Sequence, residues 1–377
     1  MPKAVVLAGG VGSRLYPLTK VVPKPMVPFA GAPLLEYIVS ELRNAGFTEV
    51  IITARYLGEQ ILNYFSNLPG VKPLLLDSKD TADAVRLVSD YLSSNFLVSM
   101  GDVVTNIPVG SFFKAHVERG CIASIVLKEV DNPLHYGLVY VDRDGYITLF
   151  SEKPRSLEAY LLTLAHHKIR GECLYSNLVN AGIYAFREEV IDILKKSTGL
   201  MDFGKHVFPY LLEEGYRVYG WIAPPWTYWN DIGNPSTYKE SLWDVIDGKV
   251  RGIIPRGKPV SSKVYVGEEA VVEGQVNPPV YIGRRVKVEP GATIGPYAIL
   301  EEGVVVKKNA RVFNSIVWQR TVVGDGAYIY DSILMNNAFV KPQVKVVSSI
   351  IGSGCEISRD TYYEVVEPCR LVSPYAD

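Results

Sequence analysis

This 377-residue chain has little of what proton-transfer and metal-thiolate chemistry uses: five histidines and four cysteines. Cys121, Cys173, Cys355 and Cys369 are widely scattered and form no CxxC pair, so they read as free thiols in a reducing cytosol, not as a zinc site or a disulfide frame. His116, His135, His166, His167 and His206 form no obvious catalytic pair, and no histidine follows His206. The formal net charge is −1, which leaves no basic excess for a nucleic-acid partner, so any substrate phosphate must meet a local cationic cluster. No apolar run reaches the ~20 residues needed to span a bilayer. Met1-Pro2-Lys3 leads straight into a short apolar stretch without the h-region or cleavage site of a signal peptide, so the expectation is a cytoplasmic protein with no membrane partner. Only four glutamines occur (Gln60, Gln275, Gln319, Gln343), a shortage that leans toward a heat-adapted source.

The length suggests two domains, and the two halves have different periods. In the first, strand patterns (Ala4 to Leu7, Val50 to Thr53, Val71 to Leu76, Phe96 to Met100) alternate with helical ones (Leu34 to Ala45, Leu57 to Phe65, Thr81 to Leu92). That order predicts an α/β domain with a Rossmann-like, mixed or mostly parallel sheet, its ligands beyond the carboxyl ends of the strands. From about residue 255, Ile282, Val288, Ile294, Leu300, Val306 and Val312 recur at every sixth position. Val286, Ala292, Ala298, Val304, Ala310 and Ile316 stand four residues after each. The phase slips after Trp318 and resumes at Val323, Ala327, Ile329 and Ile333; glycines often follow the aliphatic position (Gly267, Gly283, Gly295, Gly324, Gly352). Such hexapeptides predict a left-handed parallel β-helix. The expected division is 1–245 for the α/β domain, 246–262 for a linker and 263–377 for the β-helix.

After the first strand comes Leu7-Ala8-Gly9-Gly10-Val11-Gly12-Ser13-Arg14-Leu15-Tyr16-Pro17-Leu18-Thr19. Glycines let backbone amides approach a phosphate. A dinucleotide fingerprint needs a third glycine where Leu15 stands and an acid where Ala54-Arg55 stands; a P-loop needs Gly-Lys-Ser/Thr, which is absent. There remains a loop whose charged arm is Arg14, followed by Lys24 held between Pro23 and Pro25 on stiff backbone.

The spaced pattern Gly10-x-Gly12-x-Arg14-x-x-Pro17-x-Thr19, then Pro23-Lys24-Pro25, resembles the signature of the sugar-1-phosphate nucleotidyltransferases. The resemblance runs in family order over about residues 4 to 240. It implies that Leu7, Ala8, Gly9, Gly10, Gly12, Ser13, Arg14 and Lys24 hold the nucleotide, with Arg14 and Lys24 neutralising the triphosphate and the departing pyrophosphate. Thr81-Ala82 resembles the element beside the base, although Asp80 stands where the family has glycine. Gly101-Asp102 and Trp229-Asn230-Asp231-Ile232-Gly233 resemble the two metal-binding aspartate motifs, implying that Asp102 and Asp231 hold Mg²⁺. Tyr136-Gly137, Glu152-Lys153 and Asn180 resemble the sugar-phosphate contacts. Glu158 to Asn177 is longer than the family usually has. The β-helix extends the likeness to mannose-1-phosphate guanylyltransferases and related glucose-1-phosphate enzymes.

What the resemblance implies is transfer of a nucleotidyl group from a nucleoside triphosphate to a sugar 1-phosphate, releasing pyrophosphate. An ionised phosphate attacks the α-phosphorus, so positioning and charge neutralisation matter more than a general base. Magnesium suits one or two carboxylates plus phosphate oxygens. GTP with mannose 1-phosphate is the expected pair, and uridylyl or thymidylyl transfer to glucose 1-phosphate the alternative. Acyl transfer by the hexapeptide half lacks its histidine. A non-catalytic regulatory relative would have lost Arg14, Lys24, Asp102 or Asp231, all of which are present. A homo-oligomer is expected of a β-helix protein with an exposed coil face.

Overall fold

The computed structural model describes residues 2–131, 136–152 and 177–375. The chain forms two compact units, one of Met1–Gly9 with Val39–Trp229, the other of Gly10–Ile38 with Asn230–Asp377.

The first unit is built on a mixed sheet. The strand Lys3–Ala8 runs parallel between Glu49–Ala54 and Phe96–Met100, and Val71–Leu75 continues the parallel set beyond Glu49–Ala54. These strands read as nearly continuous apolar runs because both faces of the sheet are covered, and Val5, Ile51 and Val98 are fully buried. The long strand Leu178–Phe186 then pairs antiparallel with Phe96–Met100 and turns the rest of the sheet over. Tyr184, Phe186, Phe203 and Phe208 pack there ring on ring, Phe186 and Phe203 stacked at 5.0 Å. The helices Leu34–Asn44 and Gly58–Phe65 lie where the sequence predicts, whereas the third, Thr81–Leu87, stops early and is followed by a 3₁₀ turn at Ser89–Tyr91. Among the described residues no helix is long and apolar enough to cross a membrane.

In the second unit, three parallel sheets form the β-helix predicted from the hexapeptides, and Ile282, Val288, Ile294, Leu300, Val306 and Val312 stack inside it. Glycine follows the aliphatic position because stacked coils touch backbone to backbone: a Cβ on Gly283 would lie 2.9 Å from the main chain of Glu301 and Glu302. The phase slip is a change of coil length. Eighteen residues separate Val280 from its partner Ala298, but seventeen separate Ala298 from Ser315, Ile316 from Ile333 and Ile333 from Ile350, and fifteen separate Ile350 from Val365 in the last coil. The shortened coil corrects one predicted core position: Val317, not Ile316, pairs with Leu300 and enters the inner stack. Ile316 pairs with Ile299 in an outward column with Tyr281 and Ile333, and all four are nevertheless buried.

The cysteine expectation is also corrected. Cys355 and Cys369 form a disulfide, while Cys121 is free and buried; Cys173 lies outside the described residues. Their 14-residue separation looks unremarkable in sequence, but it is close to one turn of the last coil, in which Ile350 stands over Val365.

The outward face carries one costly group. The Glu301 carboxylate is 1% exposed and accepts the Gly31 amide at 3.1 and 3.3 Å. Around it stand the Tyr37 and Tyr281 hydroxyls, Glu302, and Arg256, which pairs with Glu36. Burial pushes the Glu301 carboxyl up from 4.5 to about 8, only partly offset by the amides of Gly31 and Ala30. The folded chain therefore holds this proton more tightly than the unfolded chain. The associated stability is complete below the unfolded value and is lost as pH rises through the folded one. Glu301→Gln removes this dependence. In urea unfolding at pH about 5 and about 9, the loss of stability with rising pH should be smaller in the variant, by as much as a few kcal/mol. Parallel curves for the two proteins would contradict the assignment.

Candidate active site

In the second unit the glycine loop folds into three short 3₁₀ turns, Ser13–Leu15, Leu18–Lys20 and Lys24–Met26. Gly12 begins the first with φ 66°, and its carbonyl accepts both the Leu15 amide and the Thr19 hydroxyl, each at 2.9 Å. A Cβ at Gly12 would lie 3.0 Å from the Lys24 Cβ and 3.3 Å from the Thr19 methyl. Glycine is thus required twice, by the left-handed backbone and by the lysine stem that lies on it. Thr19 of the signature is a fastener for the loop, a role that spacing alone does not show.

Lys24 is 7% exposed. Its Nζ lies 3.0 Å from Asp231 Oδ1, across 207 residues of sequence. Asp231 is followed by Gly233, where a Cβ would be 3.4 Å from Asp231 Oδ2 and 3.7 Å from the Arg14 guanidinium. Arg14, Lys24 and Asp231, predicted from three separate motifs, are therefore gathered in one place. The helix Pro235–Ile246 begins directly after them, capped by Asn234, whose side chain accepts the amides of Ser236 and Thr237.

In the first unit, Leu7, Ala8 and Gly9 end the central strand. The Leu7 carbonyl accepts the Gly101 amide at 2.9 Å, which sets Gly101-Asp102 beside the end of the central strand. Ligands gather at this carboxyl edge of the parallel strands in such sheets. Gly9 approaches Arg55, its absent Cβ 3.3 Å from the arginine Cβ.

Thr81 and Ala82 open their helix after the next parallel strand. Asp80 is explained here: it is the N-cap, its carboxylate accepting the Thr81 amide at 2.9 Å. The Thr81 hydroxyl donates to Asp202 at 3.0 Å and accepts from the Phe203 amide at 3.0 Å, and the Ala82 and Asp83 amides go to the Met201 carbonyl. Asp83 is buried; burial pushes its carboxyl up, but the Lys79 amide and Arg86 outweigh this and hold it below the usual range. Met201 and Asp202 were not legible as site residues. Their only signal is an acid in front of the short π turn Phe203–Val207, which Asp202 caps.

Of the sugar-phosphate residues, Gly137 begins the strand Gly137–Val141, and Tyr136 meets the edge of Trp229 at 5.1 Å. Asn180 sits at a bulge: its amide oxygen accepts the Gly182 amide and its nitrogen donates to the Tyr184 hydroxyl, both at 2.9 Å. The structure thus gives Asn180 a structural task, in holding the bulge. Glu152 ends the strand Ile147–Glu152, and its side chain, with Lys153 and the segment 158–176, lies outside the described residues.

Among the described residues no three His, Cys, Asp or Glu side chains converge as a metal cage. Magnesium does not need one, since it keeps several waters and commonly takes one or two carboxylates. Asp231 already carries a cation, the Lys24 ammonium, so its position suits a positive charge.

Residues 3–247 match the nucleotidyl transferase family, and residues 276–368 match the GMPPB C-terminal domain. The chain is 30% identical to a bifunctional protein GlmU of Methanocaldococcus jannaschii, over 89% of this chain and 78% of that protein. It is 29% identical to mannose-1-phosphate guanylyltransferase 1 of Arabidopsis thaliana (93% and 98% covered). It is 28% identical to a UTP–glucose-1-phosphate uridylyltransferase of Synechocystis (88% and 87%).

If Asp80 is a cap, Asp80→Ala should cost about 0.5–2 kcal/mol of stability in chemical unfolding, whereas Asp80→Gly should cost only a few tenths. Equal losses in the two variants would point to a different role.

Proposed function

The chain belongs to the nucleotidyl transferase family, and on that premise we propose that it joins a nucleoside triphosphate to a sugar 1-phosphate, releasing pyrophosphate, with GTP and mannose 1-phosphate as the preferred pair. The observation that carries the reading is the gathering of Arg14, Lys24 and Asp231 around Gly12 and Gly233. Two cations and an acid on one glycine-lined surface suit a polyphosphate that arrives with a divalent metal.

In this mechanism the amides of the glycine loop receive the phosphates, and Arg14 and Lys24 meet the negative charge of the triphosphate. As pyrophosphate departs, charge builds on its oxygens. Groups already fixed in place stabilise that charge without reorganising at the moment of reaction. The attacking phosphate is ionised at neutral pH, so no residue needs to remove a proton, which accords with the few histidines. Asp102 and Asp231 are the proposed ligands of Mg²⁺, which when bound would draw charge from the phosphate oxygens. Thr81 and Ala82 are the proposed neighbours of the base, and Gly137, Glu152, Lys153 and Asn180 those of the sugar phosphate. The guanylyl and mannosyl preference is supported by relatives named mannose-1-phosphate guanylyltransferase that this chain matches along nearly their whole length, and by the match of residues 276–368 to the GMPPB C-terminal domain. A second reading, uridylyl transfer to glucose 1-phosphate, is favoured by the Synechocystis relative. A cytoplasmic location and a homo-oligomer complete the proposal.

The test is a panel of nucleoside triphosphates against mannose, glucose and N-acetylglucosamine 1-phosphates with Mg²⁺, scored by pyrophosphate release. GTP with mannose 1-phosphate should give the highest kcat/KM. Asp102→Ala and Asp231→Ala should each lower kcat by at least ~10²–10³, with circular dichroism unchanged. Near-full activity in either variant would remove that residue from the metal site.

A further inference from the structure

The Lys24 segment has little internal support. From Pro23 to Leu34 its own backbone bonds are few: Met26 to Pro23, Val27 to Lys24 and Leu34 to Val27, besides a two-residue hairpin turn at Ala30-Gly31 where both φ angles are positive (48° and 98°). Its position is set from outside, within the second unit. The Pro28 carbonyl accepts the Tyr238 hydroxyl, and the Gly31 amide donates to Glu301. Tyr238 lies on the helix that begins just after Asp231, and it is wholly buried. Its oxygen also accepts the Trp318 indole N–H at 3.2 Å, and Trp318, in the β-helix, is wholly buried too. One hydroxyl therefore joins three parts of the chain: the Lys24 segment, the helix after Asp231, and the β-helix. Burial holds the Tyr238 proton on its oxygen, so the donor to Pro28 is permanent.

We propose that Tyr238 and Trp318 are positioning residues for Lys24, and that the β-helix is thereby a working part of the triphosphate site and not an appended scaffold. The inference rests on the reading of Lys24 as a triphosphate-binding residue. The transmission is short and stiff. Pro28 is four residues from Lys24, and Pro28 and Pro25 each fix a backbone angle on the way from the anchor to the lysine, while Pro23 fixes one on its other side. If the anchor is released, the ammonium loses its place over Gly12 and beside Asp231 while Gly137 and Asn180, which belong to the first unit, keep theirs.

The experiment uses the full chain with Tyr238→Phe, which removes one oxygen, and Trp318→Phe, which removes the indole donor from the other side. Nucleotide and sugar-phosphate kinetics are measured for each, alone and in a Lys24→Met background, with thermal unfolding alongside. Each single variant should lower kcat/KM for the triphosphate by about tenfold or more and leave KM for the sugar phosphate within about twofold. In the Lys24→Met background the same changes should have no further effect, because groups acting through one residue are not additive. Loss of thermal stability with unchanged triphosphate kinetics would overturn the proposal, as would an equal loss with and without Lys24. A wild-type chain that releases no pyrophosphate with any pair would instead sink the nucleotidyl-transfer reading, and this proposal with it.

Discussion

The ammonium of Lys24 and the carboxylate of Asp231 hold one another 3.0 Å apart with little water near the lysine, and much of the second unit is arranged so that this can happen. Removing the lysine charge from water costs free energy that is recovered only where geometry is good and other groups contribute, whereas Asp231 stays partly exposed. The geometry is provided by Gly12, whose left-handed backbone and missing side chain make room for the lysine stem, while Gly233 lies within ordinary contact distance of both Asp231 and Arg14. A pair of this kind is also ready to be divided, since each partner would find a stronger counter-charge in a metal–triphosphate complex.

Around that pair the β-helix behaves as a rigid wall. Its inner stack of Val, Ile, Leu and Ala repeats coil on coil, and its outward column of Tyr281, Ile299, Ile316 and Ile333 is buried as well. A solenoid that only separated subunits would leave that column to water. Glu301 on this side accepts a main-chain amide of the segment that carries Lys24, despite the cost of burying a carboxyl.

Much of this was legible in the sequence because it depends on periodicity or on local chain chemistry. Apolar strands alternating with amphipathic helices gave the covered sheet, and a six-residue repeat gave the stacked coils. Arg14, Lys24 and Asp231 were identified from their motifs before any coordinates brought them together. The failures share a cause: they depend on which residues become neighbours after a coil closes. One residue fewer in a coil moved Val317 inward in place of Ile316, and one turn of the solenoid brought Cys355 to Cys369. Asp80 looked discordant as a ligand-loop residue because its service is to its own helix end. Thr81 gave no sign that its hydroxyl is bound to Asp202, which lies 121 residues away.

The second unit is assembled from two stretches, Gly10–Ile38 and Asn230–Asp377, with the whole first unit encoded between them. On the ribosome, chains grow from the amino end, and completed domains fold as they emerge. The glycine loop is made before most of the first unit, yet Asp231, Tyr238, Glu301 and Trp318 are made only after Trp229. During synthesis this loop must wait, unfinished, while the sheet beside it in sequence can already close. The order of translation thus keeps the surroundings of Lys24 unfinished until the solenoid is made, and a message cut short before it would leave that segment without Glu301 and Trp318.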